Sequence, residues 1–158
     1  MINREELPYR KSTLAIVTNQ DGNFLVVNKR TYEPDKWWSF PGGGVDEGET
    51  PEQAITRELV EELESDKFEI VGKSHHGYKY EWPDEVIEEV FKKKGKYFRG
   101  TELTQFWVKF TGDEDEVKAG DGIRTVKLIT QEELKDYLLF PNQLENVEKV
   151  IQEFSGLL

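Results

Sequence analysis

Three glutamates, Glu58, Glu61 and Glu62, stand at i, i+3 and i+4 in the segment TRELVEELES, close behind the run Gly42-Gly43-Gly44. On a helix this spacing puts all three carboxylates on one face. Like charges so placed repel by about 0.2–0.5 kcal/mol per pair. They also lie in the later turns of the helix, where its dipole favours cations. Helix stability therefore gives no reason for the cluster. A solvated Glu-rich face is the plain reading of it. A divalent cation held between the carboxylates is the chemical one. Hard oxygen donors suit Mg²⁺ or Mn²⁺, and Mg²⁺ takes few carboxylates together with water and substrate phosphates. A glycine turn at 42–44 could bring a backbone carbonyl to the same cation.

The helix that positions these residues has a marked start. Thr50 is a plausible N-cap, Pro51 suits the first helical position, and Gln53 completes a capping box. Ile55, Leu59, Val60 and Leu63 are expected to form an apolar arc on a sheet, with the three carboxylates pointing away from it. Residues 12–18 and 24–30 read as strands joined through an Asp-Gly turn. A loop carrying Trp37, Trp38 and Phe40 follows, with one tryptophan expected in the core and the other toward a cleft. Further strands are expected at 68–73, 78–82, within 97–110 and at 123–129. Helices are expected at 83–94, from the cap Thr130/Glu133 onward, and at 143–154. Strands interleaved with helices predict an α/β layered fold around a mixed sheet. No repeat or linker divides the chain, so residues 1–158 read as one domain.

The net charge of −11 argues against duplex DNA as a partner, because such binding needs basic patches. A polyanionic substrate remains compatible with it, since bound metal ions invert the local field. With no cysteine there is no disulfide framework and no thiolate metal site. The N-terminus MINREELPYRK has no apolar core, and no run of 18 apolar residues occurs. The expectation is a cytoplasmic protein without a membrane span, as monomer or homodimer.

Gly43, Glu49 and the block Arg57-Glu58-Leu59-Val60-Glu61-Glu62, approached by Trp38-Ser39-Phe40-Pro41-Gly42-Gly43, resemble the signature of the Nudix hydrolases. The resemblance implies a Nudix-type α/β/α sandwich with a central mixed sheet. It also implies cleavage of a nucleoside diphosphate linked to another group, with Mg²⁺ or Mn²⁺. Glu58, Glu61 and Glu62 would then be metal ligands, joined by a carbonyl of Gly42 or Gly43. Arg57 and Glu49 would pair to orient the loop on the helix, and Glu58 would also serve in deprotonating water. Where the family has Gly and then an aliphatic residue, this chain has Glu64 and Ser65, so the helix exit lacks its favoured glycine. A further carboxylate outside the box would be Asp121, with Glu116 and Glu102 behind it; a solvated turn is the plain reading of each.

Outside the box the chain is similar to the branch that hydrolyses dinucleoside polyphosphates and trims RNA 5′ ends. The similarity lies in Tyr9-Arg10, in Tyr78-Lys79-Tyr80-Glu81-Trp82-Pro83, in Gly100 with Phe106-Trp107, and in Leu139-Phe140. It implies a nucleotide or dinucleotide substrate, or an RNA 5′ end, met by Arg10, Tyr80, Phe140 and Lys94. Lys94 sits in the run Lys92-Lys93-Lys94-Gly95-Lys96, which reads equally as a polyphosphate contact and as a solvated helix end. Tyr80 and Phe140 could stack a base or simply pack. His75-His76 reads as a surface pair or a proton carrier. A nucleotide-sugar, ADP-ribose or damaged-nucleotide pyrophosphatase is the alternative, and a catalytically silent nucleotide-binding domain is another.

Overall fold

The computed structural model describes residues 3–157. Seven strands form one mixed sheet: β1 (Tyr9–Thr18), β2 (Phe24–Lys29), β3 (Gly42–Gly44), β4 (Phe68–Lys73), β5 (Tyr78–Glu81), β6 (Gly100–Phe110) and β7 (Ile123–Ile129). Their order across the sheet is β4-β6-β1-β2-β7, with β3 on β1 and β5 on β6. Only β1 and β6 among these pairs run parallel. The helices are α1 (Pro51–Leu63), α2 (Asp84–Lys94), the single-turn α3 (Leu134–Tyr137) and α4 (Gln143–Glu153). None of them is long and apolar enough to cross a membrane.

Strand alternation divides the core into two layers. Ala15, Val17, Leu25, Val27, Phe106 and Val108 point to one face and pack with Ile55, Leu59 and Leu63 of α1. Ile16, Phe24, Val26 and Trp107 point to the other and pack with Leu134, Leu138, Val147 and Val150 of α3, α4 and the turn between them. This is the expected sandwich, with one helical layer on each side of the sheet. Gln105 of β6 and Asn146 of α4 exchange two side-chain hydrogen bonds inside the second layer, at 3.0 and 2.7 Å, and so fix how α4 lies on the sheet.

The strands at the centre of the sheet each change partner along their length. β1 pairs through Val17 and Thr18 with β2, but through Ser12, Thr13 and Leu14 with β3. β6 pairs through its second half with β4 and through Gly100–Leu103 with β5. The sheet therefore forks, and the glycine run lies in the fork. The sequence suggested a turn at 42–44; the structure makes it a strand. Glycine is needed there because of close approach rather than bending. A Cβ on Gly42 would overlap the Thr13 carbonyl, and one on Gly43 would lie 2.5 Å from the Glu58 carboxylate. Two strand starts also move: β1 begins at Tyr9, before residue 12, and β6 begins at Gly100, after residue 97.

Candidate active site

Helix α1 starts as its sequence demands. The Thr50 hydroxyl accepts from Gln53 N, and the Gln53 side chain accepts from Thr50 N. The expected apolar arc needs one correction. Val60 is 44% exposed, whereas Glu62 is only 6% exposed. Glu62 lies seven residues after Ile55, so the two nearly superpose on the helix wheel, and Val60 falls between the faces. Two carboxylates thus point outward and the third is carried inward, under the glycine strand. Glu62 Oε1 accepts from Gly42 N at 2.8 Å in a buried hydrogen bond. Burial pushes the Glu62 carboxyl up to about 7, although Lys29 and the Gly42 N–H favour its charge. Burial likewise raises Glu58, against the pull of Arg57.

Arg57 is the clasp between loop and helix. Its guanidinium grips Glu49 with two bonds, Nε to Oε2 at 2.9 Å and Nη2 to Oε1 at 3.0 Å. Nη2 also donates to Gly44 O at 3.0 Å, and Nη1 to Glu58 at 2.9 Å and Glu61 at 3.2 Å. One planar fork therefore reaches the loop, the strand and two of the three clustered glutamates. The Arg57 side-chain bond holds the Glu49 carboxyl down at about 2. The expected Arg57–Glu49 pair is present, and it extends further than the sequence indicated.

The donor set around Gly42–Gly44 is all oxygen, three carboxylates beside backbone carbonyls, which in kind fits Mg²⁺ or Mn²⁺. Among the described residues, however, no three His, Asp or Glu side chains converge as they would around a metal ion. The reason is local. Glu58 and Glu61 are turned onto Arg57, Glu62 onto Gly42 N, Gly42 O accepts from Lys29 Nζ at 3.3 Å, and Gly43 O accepts from Thr13 Oγ1 at 3.1 Å.

Lys29 is the functional candidate that sequence reading missed. Its strand pairing shifts register between Asn28 and Lys29, and such a bulge re-aims a side chain. Nothing in the local sequence marks that shift. Arg10, singled out in advance, lies against the same strand: its guanidinium fills the space a Cβ on Gly44 would need. Among the described residues no carboxylate lies within 4 Å of Arg10 or Lys29, so the site holds two cations without an ion-pair partner.

Glu64 shows how the missing glycine at the helix exit is accommodated. It adopts the left-handed conformation itself, at φ 52° and ψ 38°, with its N–H bonded to Val60 O. The loop before β7 then covers the helix end. Lys118 N donates to Leu63 O, Gly120 N to Glu62 O and Asp121 N to Glu61 O, at 3.0, 2.8 and 2.9 Å. Asp121 is thereby fixed through its backbone next to the acidic turn of α1. Gly120 comes so close that a Cβ would overlap Glu61 O. Gly120→Ala is expected to cost about 1–3 kcal/mol, read as a lower urea midpoint, because backbone and not a flexible side chain opposes the methyl group.

The other expected residues are spread more widely over the fold. Tyr80 is 43% exposed, with its ring 5.7 Å from that of Tyr78, whose hydroxyl donates to Pro141 O. Phe140 packs between Trp37 and Tyr32. Lys94 is exposed in the last turn of α2. His75 and His76 are tied to Glu153 of α4 rather than to the glutamate cluster.

A forked mixed sheet between helical layers, with a glycine strand clasped onto an acidic helix, defines a Nudix-type domain. The NUDIX domain family matches residues 8–153, and the chain belongs to that family. It is 32% identical to an RNA pyrophosphohydrolase of Wolbachia pipientis subsp. Culex pipiens over 98% of this chain and 94% of the relative. It is 30% identical to one of Rickettsia africae over 97% and 94%. Among solved structures, a C. elegans Ap4A hydrolase binary complex superposes with a TM-score of 0.69, at 20% identity, covering 93% of this chain and 98% of that one. The E. coli dihydroneopterin triphosphate pyrophosphohydrolase does so at 0.67, at 21% identity, covering 92% and 99%. At these identities the structures speak for the fold.

Proposed function

We propose that this Nudix pyrophosphohydrolase, acting as one domain over residues 1–158, removes pyrophosphate from the 5′-triphosphate end of RNA. Dinucleoside polyphosphates would be a second substrate of the same site. The observation that carries the reading is the near full-length similarity to RNA pyrophosphohydrolases, on a chain whose glycine strand and acidic helix are clasped by Arg57. Both substrates present a phosphoanhydride chain ending in a nucleoside, which is what a site with two unpaired cations and exposed aromatic rings can hold.

Glu58, Glu61 and Glu62 would hold Mg²⁺ or Mn²⁺. Once bound, the ion acidifies water and neutralises charge on the phosphate oxygens. The chain's own residues do the rest. Arg10 and Lys29 face the phosphates from beside the glycine strand. Glu58 takes the proton of the attacking water as the new P–O bond forms. The bridging P–O bond breaks and pyrophosphate leaves, so 5′-monophosphorylated RNA remains. Arg57 and Glu49 touch no reacting atom and act by holding loop to helix.

A hydrolysis panel with Mg²⁺ or Mn²⁺ tests the reading. It contains 5′-triphosphate RNA, diadenosine tetraphosphate, ADP-ribose, a nucleotide-sugar and nucleoside triphosphates. Release of pyrophosphate from RNA, with the highest kcat/KM of the panel and none in EDTA, is the expected result. A preference for ADP-ribose or nucleotide-sugar, or full activity in EDTA, overturns it.

A further inference from the structure

The two adjacent tryptophans separate sharply. Trp38 is 2% exposed in the core, while Trp37 stays half-buried nearer the surface. The Trp37 indole stacks on Phe140 with centroids 4.7 Å apart and planes at 21°. Tyr32 meets the same Phe140 edge-on at 5.3 Å. Phe140 therefore covers one indole face and is itself braced by a second ring. The other contact on the Trp37 ring is Lys36, its Nζ 5.2 Å from the ring centroid. Lys36 is exposed and its one ion pair, with Glu33, is exposed too.

The backbone under this stack is held firmly. Arg124 donates to Asn28 Oδ1 at 2.7 Å, to Tyr32 O at 3.0 Å and to Arg30 O at 3.2 Å. Asn28, fully buried, donates on to Glu33 O at 3.1 Å and Trp37 O at 2.6 Å. From the other side, the Gln143 amide donates to Trp38 O and accepts from Phe140 N. The loop 30–37 is thus pinned at the carbonyls of Arg30, Tyr32, Glu33 and Trp37, next to Lys29, which reaches the glycine strand. A loop held in place only to bury Trp38 would not need an outward indole so fixed.

We propose that Trp37 is the platform on which the nucleobase of the substrate stacks, with Phe140 and Tyr32 as its backing, which rests on the nucleotide reading above. The base displaces Lys36, because an exposed cation–π contact is weaker than base–aromatic stacking. Stacking gives little preference between bases, since every base has a π face.

AMP and GMP are the probes, measured without metal. In the wild type each quenches tryptophan emission, and in Trp37→Phe most of that quenching disappears. Trp37→Ala raises the Kd for both nucleotides about 5- to 100-fold, which is about 1–3 kcal/mol at 1.4 kcal/mol per tenfold. Its Kd for inorganic tripolyphosphate, which has no base, stays unchanged. Lys36→Ala binds the nucleotides at least as tightly as the wild type. An unchanged nucleotide Kd in Trp37→Ala, an equal loss for tripolyphosphate, or no binding of AMP and GMP to the wild type overturns the proposal. If RNA is not hydrolysed but the quenching still depends on Trp37, the platform stands and the RNA reading falls.

Discussion

Glu62→Gln is expected to lower kcat by about 10²–10³-fold, some 3–4 kcal/mol in the barrier, while leaving the fold as stable as the parent in metal-free buffer. The two halves of this prediction have separate causes. The oxygen of the substituted amide can still accept from Gly42 N, so the 2.8 Å bond that seats the glycine strand survives. What is lost is a buried negative charge. That charge is costly to the folded protein, as its carboxyl at about 7 shows, and removing it does not destabilise. A residue kept for stability would show the opposite pattern. Paired measurements of kcat with Mg²⁺ and of the urea midpoint in EDTA check both halves. Retention of wild-type kcat removes Glu62 from the site. A large loss of stability with proportionate loss of activity makes it a structural residue.

Arg57→Lys should reduce kcat/KM by about 10–100-fold, the range typical for residues that orient metal ligands without touching substrate. The positive charge is kept, so a purely electrostatic role predicts almost no change. Geometry predicts otherwise. The guanidinium nitrogens of Arg57 are shared among Glu49, Gly44 O, Glu58 and Glu61, and an ammonium at one point cannot span them. A double-mutant cycle with Glu49→Gln separates positioning from simple loss of fold. If Glu49 acts through Arg57, its substitution has little further effect once Arg57→Lys is in place. Additive losses would mean that the two residues work independently, and the clasp would not be one unit.

The residues that carry this chemistry were legible because each obeys a short-range rule. Thr50, Pro51 and Gln53 mark the start of α1 by capping, and the i, i+3, i+4 spacing of Glu58, Glu61 and Glu62 follows from the helix period. Glu49 lies within one turn and loop of Arg57, so their pairing too is a local matter. The alternation in β1, β2 and β6 underlies the two layers of the sandwich. Legibility failed where a contact is set by distant chain. The wheel places Glu62 beside Ile55, but only the glycine strand lying over it turns a border position into a buried one.

The acidic helix, its cap and the identity of its clasp follow from residue order alone, because all are encoded within about twenty consecutive residues of local rules. The mixed α/β architecture follows as well, through periodicity and turn signals. Packing of distant chain was needed to make Gly42–Gly44 a strand in a fork of the sheet. It also placed Lys29 by a bulge, covered the end of α1 with the loop at Gly120, and set Trp37 against Phe140 and Lys36. Each of these depends on atoms far apart in the chain meeting at van der Waals or hydrogen-bond distance, and local residue spacing carries no information about such meetings.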